Sequence, residues 1–458
     1  MVVLQDIDDV DGLIGTYHID LQKNRVDCTC AAASPSLLFS FNLWQSHVYQ
    51  VLFHTFLPTG YPHSVRPEYL SYQCWDALQG LSSYLRAVLT TKSLLAGVGV
   101  GSSTATPLSA AMTWVIRDGC GMLGGLLLAY SYSHSFEMYT KEWRLCADFL
   151  NNLGLTLDLL SCIDHARYYV LIVILSTLCK AGCGLIAGAT KTRISAHFAL
   201  KGQVADISAK ESTQETAVAL LGLGFGMVLA HIVGENNLLI WTAFILLLCL
   251  HQYANYRLVK VLIFHTLNPQ RAILLTKRLI DYDHSHPHRQ PHDGAYRFAT
   301  ECYGDVRINP TEIAGDESVL APFTLSFTAP RIGVSLRELA DCMNSQDNAA
   351  DVMDAWQGES FLIAVSSSGT VPGRVLVSLQ EHTGDQEIMR AYMIGCYIYV
   401  KLQLREVTAE EASMKELAVE AKQWTAAHWH AIGMHGWDIE DAGSLGVGRY
   451  RYSVKKSE

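Results

Sequence analysis

A mainly α fold, a membrane-associated bundle of up to six apolar helices joined to a C-terminal α+β domain, follows from three features of the chain. Long apolar runs fill residues 84–265, charged residues are set among them, and after residue 265 the patterning turns water-compatible and partly alternating. Of the 458 residues half are hydrophobic and 17% are charged, against the usual quarter or so, and the mean hydropathy is slightly positive. The net charge of −10 and the lack of a basic stripe interleaved with aromatics exclude a nucleic-acid partner. The 12 cysteines are scattered without a framework, which points to a reduced compartment. The acidic start, Met1 to Gly12, has neither a basic, apolar signal nor a transit-peptide pattern, so no cleavable address is expected.

Three runs have bilayer length, about 20 residues each: Tyr168 to Thr190, Thr216 to Gly234 and Asn236 to Tyr256. Three weaker ones, Tyr84 to Gly101, Ser109 to Ser135 and Leu145 to Ser161, carry Arg86, Lys92, Arg117, Asp118, Asp148 and Asp158. Two readings stand for these: spans that need partners inside a bundle, or amphipathic helices packed on the first three. Only Glu235 separates the last two strong runs, so they form a helical hairpin or one bent helix. Lys191, Arg193, Lys201 and Lys210 precede that pair, and Arg257, Lys260, Arg271, Lys277 and Arg278 follow it. The positive-inside bias therefore sets both flanks in the cytosol. With Lys141 and Arg144 in another inside loop, both termini of a multi-pass chain are cytosolic, while the choice of membrane stays open. Gly-x-x-x-Gly spacing at Gly97/Gly101, Gly121/Gly125, Gly184/Gly188 and Gly222/Gly226 predicts close helix packing, within the chain or with another copy or paralogue.

The chain divides into a soluble segment at 1–55, a helical core at 56–281, a His-rich linker at 282–300 and a cytosolic α+β domain at 301–458. In the linker His284, His286, His288 and His292 are weak metal candidates, because proline and flexibility leave them no preformed geometry. Further on, Ser360 to Val365 and Val375 to Leu379 predict a hairpin about a turn at Ser367 to Gly373. Helices at about 385–402 and 408–432 and a last strand near Tyr450 to Tyr452 complete a ββααβ order. His428, Trp429, His430 and His435 read as packed or capping residues rather than a metal site.

The polar island from His197 to Thr216, between two apolar runs, is the most unusual stretch, since charge beside hydrocarbon costs several kcal/mol unless paired or solvated. Asp206 and Lys210 are four apart and share a helix face, so they are expected to pair. Ser212-x-x-Glu215, just before the apolar run, reads as a capping box. Neither device accounts for His197 or Gln214. Arg117 and Asp118 are adjacent and diverge by about 100° on a helix, so each needs an outside partner. Arg144 and Asp148, or Asp206 and Lys210, would supply it. The resulting cluster is either a set of interhelical salt bridges or a pocket in which Arg117, Arg144 and Lys210 bind a small anionic metabolite.

Several blocks together are familiar. Phe56-Leu-Pro-Thr-Gly-Tyr-Pro-His-Ser-Val65, followed by Tyr69, Tyr72, Trp75-Asp76 and Gln79-Gly80, resembles the entry signature of the root UVB sensitive family. In the same order come Trp114-Val-Ile-Arg-Asp-Gly119, Gly121-Met-Leu-Gly124, Lys141-Glu-Trp-Arg-Leu-Cys-Ala-Asp148, Ala187-Gly-Ala-Thr190, Ala205-Asp-Ile-Ser-Ala-Lys210, Gln214-Glu-Thr216, Tyr253-Ala-Asn-Tyr256 and Leu267-Asn268. These cover roughly residues 50–280, and the region after 330 is similar in layout to animal-type members. The chain departs from the pattern at Ala199-Leu-Lys-Gly-Gln-Val204, where the family commonly has basic residues and a paired asparagine. Plant relatives add a plastid-targeting extension; no such pattern is read at the acidic start, so a plastid location is not expected from the resemblance.

The resemblance implies a membrane-associated protein whose plant members act in UVB responses, early root development, auxin transport and pyridoxal phosphate homeostasis. No enzymatic reaction is established for that family. A pyridoxal phosphate enzyme needs a Schiff-base lysine and a phosphate cup, and neither Lys180 nor Lys210 follows a Gly/Ser-rich loop. No resident cofactor is therefore expected, and pyridoxal phosphate remains a ligand suggested only by the resemblance. No Ser-His-Asp order, P-loop, His-Glu-x-x-His or paired Cys-x-x-Cys appears, so the chain leans away from enzymes. The expected partners are membrane lipid, a second copy or paralogue, and a small anionic metabolite; the expected role is a scaffold or regulator.

Overall fold

The computed structural model describes residues 2–8, 12–20, 25–30, 50–97, 107–161, 168–286, 307–318, 329–343, 349–366, 374–404 and 414–453. All six apolar runs are helices: α1 (Tyr69–Gly97), α2 (Pro107–Tyr132), α3 (Thr140–Leu160), α4 (Tyr169–Phe198), α5 (Val204–Val233) and α6 (Asn237–Val261). Of these, α4, α5 and α6 are long and apolar enough to cross a membrane. The polar island is not a loop. Its second half is the first turns of α5, so the helix starts well before its apolar run.

Side-chain pairings fix the helix directions. Tyr84 and Val88 of α1 face Gly222 and Gly226 of α5, so these two helices run parallel. Asp76 meets Arg144 and Arg86 meets Asn152, so α3 is parallel to them. Gln79 meets His251 and Arg86 lies over Phe244, which makes α6 antiparallel to α1. Ser195 meets Glu211, and Lys191 meets Glu215, which reverses α4 against α5. Gly121 faces Thr177 and Leu128 faces Gly182, so α2 follows α4. Each helix thus reverses its predecessor, an up-and-down arrangement that short connections favour.

The link at Glu235 closes a true hairpin rather than a bent helix. Gly234 takes φ 56°, and the Asn236 side chain caps α6 by accepting from Leu238 N at 3.0 Å and Leu239 N at 3.3 Å. The small-residue spacings divide. A Cβ on Gly222 would stand 2.6 Å from Tyr84 Cβ and one on Gly226 2.7 Å from Val88, so that pair lets α1 and α5 touch. Gly184 and Gly188 face open space, Gly121 packs while Gly125 does not, and Gly101 lies outside the described residues.

The bundle turns its apolar side outward: Leu126, Leu220, Met227, Ile232 and Leu238 are 67–75% exposed, while Arg86, His251 and Asn255 are fully buried. Beyond α6, Asn268 caps α7 (Pro269–Ser285), accepting from Arg271 N at 2.8 Å with Pro269 in the first turn. Leu275, Leu279 and Ile280 of α7 join the C-terminal core, together with α8 (Pro310–Asp316), β4 (Arg331–Ile332), α9 (Leu336–Met343), α10 (Ala349–Ala355), β5 (Phe361–Ser366), β6 (Arg374–Leu379), α11 (Asp385–Gln403) and α12 (Met414–Met434).

The hairpin of β5 and β6 is antiparallel with Ile363 opposite Val377; its turn lies outside the described residues. β4, unforeseen in the sequence, pairs parallel to β6, giving the order β4-β6-β5. Near the end, the expected last strand reduces to one parallel bridge between Tyr452 and Gln380. Apolar on nearly every side, α11 is sunk between the sheet, α7 and α12. At the N-terminus β1 (Val2–Asp8), β2 (Gly12–Asp20) and β3 (Arg25–Cys30) form an antiparallel meander, where sequence reading assigned only a soluble segment.

Candidate functional site

Polar residues recur every three or four positions on three helices: Gln73, Asp76, Gln79, Ser82 and Arg86 on α1, Arg144, Asp148 and Asn152 on α3, and His251 and Asn255 on α6. That spacing sets each group on one helix face, and the three faces meet inside the bundle. Arg144 donates to Asp76 at 2.7 Å and lies 3.9 Å from Asp148. Gln79 donates to Asp148 at 2.6 Å, and His251 Nδ1 lies 3.1 Å from the Gln79 carbonyl oxygen. Further along, Arg86 donates to Asn152 at 2.6 Å. Deeper still, Lys180 donates to Asp158 at 2.6 Å and Ser176 also bonds that carboxylate. Arg86 Nη2, Asn152 Nδ2, His251 Nε2, Asp148 Oδ2 and both amide atoms of Asn255 are buried without a hydrogen-bond partner among the described residues.

The anticipated single charged cluster does not form. Arg117 pairs with its own neighbour Asp118 at 2.8 Å and lies 4.2 Å from the Trp114 ring centroid. Helical divergence of adjacent residues was expected to forbid this, but the long guanidinium side chain folds back along the helix surface. Asp206 and Lys210 do not pair with each other. Asp206 accepts from Thr59 N at 2.8 Å, Lys210 donates to the His54 carbonyl, and Gln214 donates to the Phe56 carbonyl at 2.5 Å. Ser212 and Glu215 are no capping box, because α5 begins at Val204 with Gln203 in the cap position. Glu215 instead meets Lys191 at 2.7 Å.

The polar island therefore clamps the entry segment. Val65 pairs with Ala199 as an antiparallel bridge, Arg66 Nε donates to the His197 carbonyl at 2.7 Å, and His197 Nε2 lies 3.0 Å from Glu68. Glu211, one of the charges of the polar island that read as a membrane boundary or a buried polar site, is buried and accepts from Ser195 at 2.5 Å and Gln73 at 2.9 Å. A second buried ionic group joins the bundle to the C-terminal domain, where Glu317 accepts from both Lys141 and Arg271. Burial alone would raise the Glu317 carboxyl, but the charges of Arg271 and Lys141 hold it below the usual carboxylate range.

His284 lies in the last turn of α7 and His286 stacks on Tyr282 at 4.4 Å, while His288 and His292 fall outside the described residues. Among the described residues no three His, Cys, Asp or Glu side chains gather as a metal site. His428 is packed, with its Nε2 3.2 Å from Asp283 and its ring 4.4 Å from Trp424.

Comparison with known proteins decides the family. The family described as "Vitamin B6 photo-protection and homoeostasis domain" matches residues 44–283. Protein root UVB sensitive 3 of Arabidopsis thaliana is 40% identical over 90% of this chain and 88% of its own length. The chain belongs to the root UVB sensitive family. RUS family member 1 of Dictyostelium discoideum is 34% identical over 64% of this chain and 51% of its own, and Protein root UVB sensitive 2, chloroplastic, of Arabidopsis is 31% identical over 49% and 51%. No solved structure matches. In this root UVB sensitive protein two blocks far apart in sequence, 54–66 and 197–214, are one structural unit. The matched region ends within α7, so it includes the polar seam of α1, α3 and α6.

Proposed function

We propose that this root UVB sensitive protein is a non-enzymatic membrane scaffold or regulator. In this reading α4, α5 and α6 cross the bilayer with α1, α2 and α3 packed on them. The observation that carries it is the inverted organisation of the bundle, apolar outside and ionic inside, which suits hydrocarbon as the surrounding solvent. Lys191, Arg193, Lys201, Lys210, Arg257 and Lys260 all belong to the end shared by the α4–α5 turn and the end of α6. That end faces the cytosol by the positive-inside bias, together with the C-terminal domain that Arg193 contacts through Ser444 at 2.7 Å. Both chain ends share that side if α1, α2 and α3, which alternate in direction with the other three helices, also traverse the bilayer.

Fractionation with and without detergent tests the membrane reading, which fails if the intact protein stays in the soluble fraction. Its orientation is tested by an impermeant thiol reagent on otherwise cysteine-free single variants. Glu235→Cys is expected to react only from the non-cytosolic face and Lys201→Cys only from the cytosolic one.

The rival reading is a carrier or binder of a small anionic metabolite resembling pyridoxal phosphate, which the family description favours. Arg117, Arg144 and Lys210 each bind a separate local partner rather than facing one space, so the geometry favours the scaffold. Lys180, the other Schiff-base candidate, is held by Asp158. Titrating the purified protein with pyridoxal phosphate is expected to give no aldimine absorbance. A saturable aldimine lost in Lys210→Ala would reverse the preference.

A further inference from the structure

A cleft lies between the basic end of the bundle and segment 307–318, lined by Lys141 and Glu142 of α3, Tyr256 and Lys260 of α6, and Glu317 and Ser318. It belongs neither to the polar seam nor to the clamp on the entry segment. Its charges are unbalanced. Glu317 is shared by two cations, Lys141 and Arg271, which leaves one positive charge over. Lys260 lines the same cleft, exposed and with no ion pair among the described residues. The other carboxyl, Glu142, is pushed up to about 7 by burial, so near neutral pH it is partly a hydrogen-bond donor rather than an opposing charge.

We infer that this cleft is an anion site for a phosphate monoester group, held between Lys260 and Lys141 with Tyr256 at its rim. Ammonium groups act as point-charge partners for phosphate, and the cleft opens to solvent, so a phosphate group would sit at its mouth beside the exposed Lys260. The group comes either from a soluble phosphate ester or from a phospholipid at the rim of the bundle. The site stands whether or not α4–α6 cross a bilayer, so its failure and that of the scaffold reading are separate. A bound anion would bridge α3 and α6 to segment 307–318 and so tie the bundle to the C-terminal domain.

The test uses the full chain in neutral detergent with sulfate or glycerol phosphate, and in phosphatidylcholine nanodiscs with or without phosphatidic acid. Chloride at equal ionic strength is the control, and the thermal midpoint is read. At least one probe is expected to raise the midpoint saturably. In Lys260→Ala the half-saturating concentration rises by about tenfold or more, with the probe-free midpoint unchanged because Lys260 makes no ion pair among the described residues. Lys201→Ala, at the same end but outside the cleft, keeps the wild-type response.

The groups facing Glu142 are Lys141 on its own helix, Tyr256 and Lys260 on α6, Arg271 on α7 and Glu317. Sulfate keeps its charge between pH 6 and 8, so its binding is expected to weaken over that range as Glu142 ionises, and Glu142→Gln flattens the dependence. A response to soluble anions alone identifies a metabolite, and one to phosphatidic acid alone a lipid head group. No response to any probe, or an unaltered response in Lys260→Ala, overturns the site.

Discussion

The six-helix bundle and the C-terminal domain solve opposite solvation problems. In the C-terminal domain α11 buries Met389, Tyr392, Ile394 and Ile398 completely, and its charged residues lie outside. In the bundle Arg86, His251 and Asn255 are buried and leucines cover the outside. Apolar burial drives the first arrangement, since it removes hydrocarbon surface from water. It cannot order the second where the surroundings are equally apolar, and there close packing at Gly222 and Gly226 and polar contacts along α1, α3 and α6 are what remain to select partners.

The contrast is sharpest where each region loses its central contact. Trp356→Ala removes a side chain that is 1% exposed and donates to the Ile363 carbonyl at 2.8 Å, and is expected to cost about 3–5 kcal/mol in denaturant unfolding. Arg144→Met should cost about as much, about 3–5 kcal/mol, for the reverse reason: it strands Asp76 and Asp148 in the bundle. If Arg144→Met were neutral while Trp356→Ala were severe, the ionic seam would not organise the bundle.

Leu246→Arg breaks the comparison at the exposed face of α6. At a bilayer centre arginine costs about 2.5–3.5 kcal/mol, so membrane-inserted yield should drop, whereas on an aqueous surface the change is close to neutral. Gly222→Val forces α1 and α5 apart at Tyr84 and is expected to destabilise by about 1–3 kcal/mol, against no effect for Gly184→Val, which faces open space.

The smallest effect is at the junction of the two regions. Burial holds the Glu142 carboxyl at about 7, above its ordinary 4.5, so the native state keeps a proton that the unfolded chain has released. Stability contributed by this group therefore falls as pH rises from the lower value to the upper. Glu142→Gln should be about 1–2 kcal/mol more stable than the parent at pH 7.5, with the advantage vanishing at pH 4, by parallel melts.

Much of this fold is written in the order of apolar runs. The six helices and the β5–β6 pair follow from periodicity and length, and the entry signature marks the family directly, whereas the link at Glu235 allowed a hairpin or a bent helix until the turn at Gly234 settled it. The site is less legible. Asp206 and Lys210 stand four apart, a spacing that suits a mutual pair, yet both are taken by the chain segment 54–59 that passes over them. Gln73, Gln79, Asn152 and Asn255 carry the signal of the polar seam, three- and four-residue spacing inside apolar helices, but formal charge draws attention away from amides.

By itself the sequence determined the helical class, the division between an apolar middle and a water-compatible end, and the family, because each is encoded in local pattern and contiguous motif. Tertiary structure alone decided which charges meet. A side chain reaches only a few ångströms, so partners such as Arg144 and Asp76, Lys141 and Glu317, or His197 and Glu68 depend on which helices lie side by side. The polar island is the clearest case: its residues are local, but the segment they hold begins more than a hundred positions earlier.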